Sequence, residues 1–367
     1  MSAVVIIHNI PIHYKHLLFS ALVHDGIDLD VLFLASGSKD RIEYPDLLNA
    51  TYRFRIGFDG PFEAIPFWGS ARYIWRSLSE FQPRAVIIGG WDHVGAWTAW
   101  LWCLLHRCPA IFWGESNSFD RRRVLWKELG KKIFLRQFVA CQVYGTSNAE
   151  YLTQLGMPSE RIWVKRAVAD VELFRLTNNR EKRRSPRKVL LFVGRLAPEK
   201  NLEFVLAALP RLSPAARRGL LLRIVGYGPL ENSLRLQAES LGLNDIVEFA
   251  GPRRHRELPE AYHSADVLVL PSTSEPWGLT VNEGMLCGLP VIVSDRCGCA
   301  RDLVNPECGW SFDPYDQASF CRILEGVEAM PLDDIRRMGR NGAELALEYS
   351  PEKCAERVRG CLEFIRS

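Results

Sequence analysis

Residues 267–294 read VLVLPSTSEPWGLTVNEGMLCGLPVIVS, the pattern of a strand, a loop, a helix and a second strand. Val267–Leu270 and Val291–Ser294 are uninterrupted apolar runs, as parallel strands buried on both faces require. Glu275 precedes a proline and is therefore expected in an extended loop, and a helix is expected to begin at 277–279. Residues 287–290, CGLP, supply a glycine C-cap and a proline stop. The stretch therefore predicts one unit of a doubly wound α/β sheet.

The same alternation of apolar runs and helical patterns continues through both halves of the chain. It predicts two doubly wound, Rossmann-like α/β domains. The other predicted strands are Val4–Ile7, Leu29–Ala35, Ala85–Ile88, Ala110–Trp113, Val139–Tyr144, Val189–Val193, Leu221–Val225 and Ile246–Phe249.

A polar segment separates the two halves. Residues 178–188 read NNREKRRSPRK and predict a linker between domains. We expect a first domain over 1–178, a linker over 179–188, a second domain over 189–349 and a final segment over 350–367. Nine of the eleven tryptophans precede residue 165, which indicates that the two domains bind different ligands.

Composition excludes several classes of protein. The chain has 367 residues, 47% of them apolar and 24% charged, with a formal net charge of +3. This balance is ordinary for a globular protein and argues against a nucleic-acid partner. The longest uncharged stretch, 94–105, is shorter than the roughly 20 residues of a membrane span. The ten cysteines do not form a disulfide framework, and no signal peptide is recognised, so we expect a cytoplasmic protein.

Two further strand ends in the second half carry residues suited to phosphate. Gly194 and Arg195 follow one strand, and Lys200 lies in the same loop. Arginine suits bidentate phosphate contacts, and lysine acts as a point charge. Gly226 and Gly228 follow the next strand, where either a nucleotide loop or a plain turn explains them.

The loop after Leu270 narrows the ligand class. Glu275 lies before the helix start at Gly278 and Leu279, and Glu283 lies in the second turn. A helix start binds anions, and carboxylates accept hydrogen bonds from hydroxyls. The order of carboxylate, anion site and carboxylate predicts a nucleotide sugar, in which a diphosphate joins two hydroxyl-rich rings.

These residues carry a family resemblance. Residues 189–312 resemble the donor-binding domain of the retaining family 4 glycosyltransferases, which have the GT-B fold of two Rossmann-like domains facing a central cleft. The hallmark of that family is two glutamates separated by seven residues, here Glu275 and Glu283. Four other matches keep the family order: 194–196 with Lys200, the 226/228 turn, 249–251 and 265–266. Residues 350–367 resemble the final helix that in this fold crosses back to the first domain.

The resemblance implies roles for the matched residues. Arg195 and Lys200 would neutralise the donor diphosphate, and Glu275 would bind hydroxyls of the transferred sugar. Glu283 would bind the ribose. The backbone at Gly278 and Leu279 would bind the same phosphates, and the backbone near Pro252 and Arg253 would contact the base. The implied donor site is completed by Gly194, Gly226, Gly228, Trp277 and Thr280. Such enzymes transfer the sugar with retention, and no metal or other cofactor is required.

The first half departs from the family pattern. The turn after the first strand, 8–14, contains no glycine, and His13 and Tyr14 are placed on the acceptor side. The histidine that usually faces the cleft is absent, and either Glu115 or His93 would take its role. The neighbouring acceptor-side residues are Trp91 and Asp92.

The tryptophan-rich segment around Trp91 has two interpretations. Trp97, Leu101 and Leu105 recur at i, i+4 and i+8, which predicts a stripe packed in the core. The alternative is an aromatic platform for sugar. For Trp91, which lies at a strand end, both interpretations stay open.

Residues 121–136 carry seven basic residues and one acid. Leu125, Leu129, Ile133 and Phe134 give this segment an apolar stripe, which predicts an amphipathic helix. The basic face is either a solvated surface or a contact with an anionic acceptor or an anionic leaflet. The second alternative would place the protein peripherally at the inner face of the plasma membrane.

The sequence is thus interpreted as a glycosyltransferase that moves a hexose from a nucleotide-diphosphate sugar to a glycan, lipid-linked or small-molecule acceptor. UDP, GDP and ADP all fit the predicted donor. The alternatives are a nucleotide-sugar epimerase on the same fold and a non-catalytic sugar-nucleotide-binding subunit. A zinc site at Cys297, Cys299 and Cys308 lacks a fourth ligand, so we expect buried thiols there.

Overall fold

The computed structural model describes residues 3–39, 44–119, 125–175 and 187–365. Its strands are β1 Val4–His8, β2 Leu29–Gly37, β3 Arg53–Pro61, β4 Ala85–Gly89, β5 Ala110–Gly114, β6 Ala140–Val143, β7 Ile162–Val164, β8 Lys188–Val193, β9 Leu220–Val225, β10 Val247–Gly251, β11 Val267–Leu270, β12 Val291–Ser294 and β13 Gly309–Phe312. Its helices are α1 His13–His24, α2 Phe67–Phe81, α3 Val94–His106, α4 Leu125–Leu135, α5 Thr146–Gln154, α6 Val171–Phe174, α7 Leu202–Ala208, α8 Pro214–Gly219, α9 Glu231–Ser240, α10 Leu258–His263, α11 Leu279–Leu286, α12 Ala300–Leu303, α13 Gln317–Ala329, α14 Leu332–Ala346 and α15 Pro351–Phe364.

The first compact unit is built on a seven-stranded parallel sheet in the order β3-β2-β1-β4-β5-β6-β7. One face is covered by a core that includes Ile74 of α2, Ala99 of α3 and Phe134 of α4. The other face packs against Leu18 of α1 and Val358 of α15. The last helix of the chain therefore belongs to the same unit as the first strand.

The second compact unit is built on a six-stranded parallel sheet in the order β10-β9-β8-β11-β12-β13. Its central strands are buried almost completely, as their continuous apolar sequences predict. The order reverses between β8 and β11, because β9 and β10 lie on one side of β8 and the later strands on the other. Open parallel sheets bind ligands at the carboxyl ends of the strands beside such a reversal.

The prediction of two doubly wound parallel sheets is confirmed. The strands that it missed are β3, β7 and β13, each at an edge of its sheet. β3 has its first four residues exposed, and β7 has only three residues. These three edge strands lack the continuous apolar sequence by which the other strands, including the edge strand β10, were recognised.

The division between the units lies earlier than the predicted linker. The chain passes into the second unit after Val168, ten residues before the expected end of the first domain. The reason is the packing of α6: the ring of Phe174 lies 5.7 Å from that of Tyr262, and Cys287 Sγ donates to Phe174 O at 3.2 Å. The expected linker, 179–188, lies outside the described residues except for 187 and 188.

The core-facing stripe predicted on α3 is wrong. Trp97, Leu101 and Leu105 are 38%, 42% and 62% exposed. The buried face of the helix carries Ala96, Ala99, Trp102 and Cys103 instead. Small alanine side chains let this nearly all-apolar helix approach the sheet closely, so its larger aliphatic residues face outward.

The basic segment is described from residue 125 onward, and Arg121, Arg122 and Arg123 lie outside the described residues. The predicted helix is present as α4, but its apolar stripe is only partly buried. Phe134 is in the core, whereas Leu129 and Ile133 are 60% and 52% exposed. In the described ranges, no helix combines the length and apolar character needed to cross a membrane.

Candidate active site

The loops after β8 and β11 meet at the strand-order reversal of the second unit. Asn201 joins them, because its side-chain amide donates to the carbonyl oxygen of Pro271 at 3.2 Å. Thr273 N also donates to Glu199 O at 2.9 Å. The predicted phosphate loop and the predicted carboxylate loop are therefore held side by side.

Lys200 and Glu275 form an ion pair across these two loops. Lys200 Nζ donates to Glu275 Oε2, and the side chains are 18% and 15% exposed. An ion pair this far from bulk water is screened less than one on the surface. It places one cation and one carboxylate side by side at the carboxyl edge of the sheet.

Helix α11 begins at Leu279, four residues beyond Glu275. Gly278 precedes the helix with φ +103°, and a Cβ there would lie 2.8 Å from Leu270 Cδ2, so the position requires glycine. Within the described residues, the backbone N–H groups of Gly278, Leu279 and Thr280 donate no hydrogen bond. Such N–H groups, together with the helix dipole, form an anion-binding end.

The segment 297–299 supports the loop that carries Glu275. Gly298 N donates to Glu275 O, and Cys299 N donates to Trp277 O, both at 3.0 Å. A Cβ on Gly298 would lie 2.0 Å from Pro276 O, so only glycine allows this approach. Burial raises the pKa values of both neighbouring thiols, Cys297 and Cys299, well above their usual range. The Cys-Gly-Cys sequence is thus explained by backbone packing.

Trp277 was predicted among the donor-binding residues, and its side chain contradicts a direct contact. The indole is only 3% exposed, and its N–H donates to Asn282 Oδ1 at 2.8 Å. The ring lies 5.7 Å from that of Tyr349. Trp277 therefore braces the start of α11 from the core side.

Glu283 is held by a buried tyrosine. Tyr262 OH donates to Glu283 Oε2 at 2.6 Å, and Tyr262 is fully buried. Burial, together with the charge of Glu283, raises the pKa of Tyr262 well above its usual range, so the phenol stays a donor. This contact fixes one carboxylate oxygen of Glu283 on α11.

Arg195 lies in the β8 loop and is 44% exposed. Its guanidinium donates to Glu199 at 2.6 Å. Burial acts to raise the pKa of Glu199, but backbone hydrogen bonding and Arg195 outweigh it and lower the value. A phosphate bound by Arg195 would compete with Glu199 for the guanidinium, or would share the guanidinium with it.

The glycines after β9 serve the contact between loops. A Cβ on Gly226 would lie 1.8 Å from Gly194 O, and one on Gly228 would lie 2.3 Å from Leu196 O. These glycines let the β9 loop lie directly on the β8 loop, where a side chain would clash. Of the two interpretations of these glycines, this packing favours a plain turn over a nucleotide loop. Pro252 and Arg253 are exposed just beyond β10.

The first unit has its own charged cluster at the carboxyl edge of its sheet. Glu115 follows β5, and its Oε1 accepts from Lys15 Nζ at 2.5 Å and from Tyr144 OH at 2.7 Å. Its side chain is 38% exposed, and within the described residues Oε2 accepts no hydrogen bond. Burial would raise the pKa of Glu115, but Lys15 and His8 lower it well below its usual range. The carboxylate is therefore ionised, with one oxygen anchored.

A second buried lysine lies beside this cluster. Lys165 Nζ is 3.9 Å from the ring centroid of Trp113, and Lys15 Nζ is 3.6 Å from the same centroid. Both lysines are 1% exposed. Burial and the charge of Lys15 lower the pKa of Lys165 well below its usual range. Lys15, which is paired with Glu115, therefore supplies the positive charge behind this carboxylate, whereas burial disfavours the charged form of Lys165.

The structure places the other predicted acceptor-side residues in different environments. His93 caps α3, because its Nδ1 accepts from Gly95 N at 3.0 Å, and burial lowers its pKa. Trp91 stacks on the core residue Phe112 with centroids 4.9 Å apart, so core packing is the better interpretation for it. Asp92 is exposed, and His13 and Tyr14 are half-buried at the start of α1.

The sequence analysis missed the residues that hold the carboxylates in place. Lys15 was detectable, because it precedes Leu18, Phe19 and Leu22 on one face of α1 and is the only charge in that buried stripe. Tyr144 and Tyr262 gave no comparable signal, since a tyrosine at a strand end or in a short helix is ordinary.

Comparison with known proteins gives one family. The model of Glycosyl transferases group 1 matches residues 175–345. D-inositol 3-phosphate glycosyltransferase of Corynebacterium efficiens is 32% identical over 301 residues, which cover 74% of this chain and 70% of that protein. Glycogen synthase of Mycobacterium tuberculosis is 37% identical over 145 residues, which cover 40% and 34%. The matched part of the chain spans 34% to 50% of the length of the first curated relatives.

Solved structures extend the similarity to the whole chain. Sucrose-phosphate synthase from Thermosynechococcus elongatus matches with a TM-score of 0.80 and 20% identity, covering 100% of both chains. HepE from Anabaena, in complex with UDP, matches with a TM-score of 0.78 and 17% identity, covering 98% and 99%. These similarities confirm the predicted GT-B fold of two Rossmann-like domains.

Proposed function

This chain belongs to the glycosyl transferases group 1 family, and on that premise we propose that it is a retaining hexosyltransferase. The donor is a nucleotide-diphosphate sugar bound by the second unit. The acceptor is a hydroxyl of a glycan, a lipid-linked sugar or a small polyol, bound by the first unit.

The observation that carries this proposal is the Lys200–Glu275 ion pair beside the open start of α11. The diphosphate would accept hydrogen bonds from the N–H groups of Gly278, Leu279 and Thr280. Lys200 would lie against the same phosphates, and Glu275 would accept hydrogen bonds from hydroxyls of the sugar. Glu283, fixed by Tyr262, would accept from the ribose hydroxyls.

Departure of the nucleotide is the step that these charges assist. As the glycosidic bond breaks, negative charge develops on the leaving phosphate, and cations already in place stabilise it without reorganisation. Lys200 supplies one such charge, and Arg195 supplies a second when it turns from Glu199 toward the phosphate. Two cations and a helix start can replace a divalent metal here, so the proposed reaction is metal-independent.

Glu115 is the acceptor-side residue that we propose in place of the family's usual histidine. Lys15 and Tyr144 anchor Oε1, and Oε2 is available to accept a hydrogen bond from an acceptor hydroxyl. A carboxylate in this position orients the hydroxyl, while the leaving phosphate oxygen takes its proton. Attack then occurs on the face from which the nucleotide leaves, which gives retention.

Two incubations test the proposal against its alternatives. With the donor alone, a transferase releases free sugar slowly, an epimerase forms the epimeric nucleotide sugar, and a non-catalytic subunit forms neither. With donor and acceptor, the anomeric configuration of the product tests retention directly. Formation of the epimer, or the absence of turnover across donors that bind, would overturn the proposal.

A thermal-shift screen identifies the donor nucleotide first. A nucleotide present at 100 times its dissociation constant stabilises the protein by roughly 2.7 kcal/mol. UDP is the first to test, because the HepE structures hold UDP and UDP-glucose. GDP and ADP serve as the comparison arms, and Lys200→Met is the variant in which the shift should shrink.

A further inference from the structure

The outer surface of α3 and α4 in the first unit carries an unusual concentration of exposed apolar side chains. Six of them are 42% to 71% exposed, and we call them the apolar ridge: Leu101, Leu104, Leu105, Trp126, Leu129 and Ile133. Exposed apolar residues scattered singly are ordinary, whereas a cluster indicates a surface that contacts something.

The two helices meet through aromatic side chains. Trp97 of α3 lies 4.4 Å from Phe134 of α4, measured between ring centroids, and Phe134 is fully buried. On α4, Trp126, Leu129 and Ile133 fall within about 60° of one another around the helix axis, at 3.6 residues per turn. The ridge thus consists of exposed residues on two helices that are linked through the buried ring of Phe134.

The opposite helical layer of the same unit provides an internal comparison. Helix α1 exposes no large apolar side chain in the described residues, and α15 exposes only Phe364, at its end. Both layers cover faces of the same sheet. Among the helices of this unit, apolar exposure is therefore concentrated in the layer of α2, α3 and α4, since Phe67 and Trp68 at the start of α2 are also exposed.

Charge on α4 is sorted between its faces. The single acid, Glu128, turns inward, where it accepts from Lys131 at 2.8 Å and from Tyr151 at 3.1 Å. Lys127 and Lys132 are exposed and form no ion pair with any described residue. Arg136 is exposed just beyond the helix, and α3 contains no acidic residue. The exposed charged side chains on α4, among the described residues, are therefore all basic.

We propose that the apolar ridge and its flanking Lys127, Lys132 and Arg136 dock on an anionic lipid surface. Tryptophan and leucine suit the boundary between headgroups and acyl chains, and the basic residues suit anionic headgroups. Since no described helix can span a bilayer, the contact lies in the plane of the interface. This inference goes beyond the glycosyl transfer reaction and does not depend on it.

Charge decides between a lipid surface and a second copy of this chain. A twofold dimer places the same patch on both partners, so the three cations of one copy would enter the same interface as the three of the other. An anionic leaflet supplies the opposite sign over the whole surface. The lipid surface is therefore the occupant to which the charges are complementary.

Vesicle sedimentation tests the proposal with the full chain. Vesicles of 70% phosphatidylcholine and 30% phosphatidylglycerol are compared with pure phosphatidylcholine, each at low and high salt. We expect binding to the anionic vesicles that weakens as salt rises. At about 1 kcal/mol per surface-proximal cation, Lys127→Gln, Lys132→Gln and Arg136→Gln together should lower the affinity about 100-fold.

Apolar variants separate insertion from simple charge attraction. Trp126→Ser with Leu129→Ser should lower the affinity at least 10-fold while keeping the salt dependence. Leu236→Ser and Lys353→Gln are matched controls, since Leu236 is 66% exposed on α9 and Lys353 is 49% exposed on α15. Neither control should change binding. All variants should keep the wild-type nucleotide-induced thermal shift, which separates failure of docking from failure of the donor site.

Three results would overturn the proposal. The first is no salt-sensitive binding of the wild-type protein to anionic vesicles. The second is equal binding by the ridge variants and the controls. The third is a concentration-dependent dimer in solution that the Trp126→Ser, Leu129→Ser variant loses, which would assign the ridge to a second copy. Quenching by brominated lipids gives an independent measure, because Trp126→Phe should reduce it if Trp126 enters the interface.

Discussion

Lys200→Met should abolish most turnover while costing only moderate stability. Removing one preorganised charge from a developing oxyanion lowers kcat by about 10²- to 10³-fold, or about 2.7–4 kcal/mol. Loss of the cation also breaks the ion pair with Glu275, whose side chain is 15% exposed. Because removing one partner of a fully buried ion pair costs about 3–5 kcal/mol, we expect about 2 kcal/mol for this partly open site.

A double-mutant cycle with Glu275→Gln separates the two roles of the pair. Urea unfolding should show that the double variant regains most of the stability lost in Lys200→Met, because both partners of the ion pair are then removed. Turnover should stay low in the double variant, because it lacks both the cation proposed to contact the phosphates, Lys200, and the carboxylate proposed to bind the sugar, Glu275. Arg223→Met is the matched control, because Arg223 pairs with Glu248 at 2.9 Å on neighbouring strands away from the site.

Two outcomes would refute this reasoning. If Lys200→Met keeps turnover within 10-fold of the wild-type protein, the residue does not stabilise the leaving group. If the double variant regains turnover together with stability, the pair is a structural clasp between two loops and the donor lies elsewhere.

Four other expectations can be checked on the same protein. Turnover should survive excess EDTA, because cations of the chain take the role of a metal; loss restored by Mg²⁺ would contradict this. In unfolding titrations, Glu115→Gln should lose less stability than the wild-type protein as the pH falls through the acid range. The lowered pKa of Glu115 in the folded protein stabilises the fold above the unfolded-state pKa of about 4.3, and protonation of Glu115 removes that stability. Lys165→Met should stabilise the protein by about 1–3 kcal/mol at pH 7, because burial disfavours the charged form that Lys165 has in the unfolded chain. Between the lowered pKa of Lys165 and about 10.4, the unfolded chain binds more protons than the folded one, so the stability of the wild-type protein rises with pH. The stability difference between the variant and the wild-type protein should therefore narrow toward pH 10. In thermal unfolding, Gly298→Ala should cost about 3 kcal/mol, because its Cβ would meet Pro276 O, whereas Gly326→Ala in α13, with no atom within 4 Å of its Cβ, should add about 1 kcal/mol.

The class of fold, and the positions of the proposed donor-side residues at strand ends, could be predicted from the sequence alone. Buried parallel strands need continuous apolar runs, and the loop that follows each strand is adjacent to it in sequence. Gly194, Lys200, Glu275 and Gly278 could therefore be placed at one edge of one sheet before any tertiary contact was known. A site assembled from strand ends can be read along the chain in this way.

The first-unit cluster could not be read in the same way. Glu115 was found, but its partners Lys15 and Tyr144 lie 100 and 29 residues away. Nothing local fixes which buried lysine meets which carboxylate, because the pairing depends on how α1 packs over the strand ends. Only the tertiary structure shows that Glu115 is anchored through one oxygen and ionised.

The outward face of α3 is the other feature that could not be predicted without the tertiary packing. Periodicity shows which residues share a face of a helix, but it identifies the buried face only when one face is polar. Helix α3 is apolar on all sides, so its pattern left the direction undetermined. Packing decided it: Ala96 and Ala99 allow close approach to the sheet, which turns Leu101 and Leu105 toward the surface.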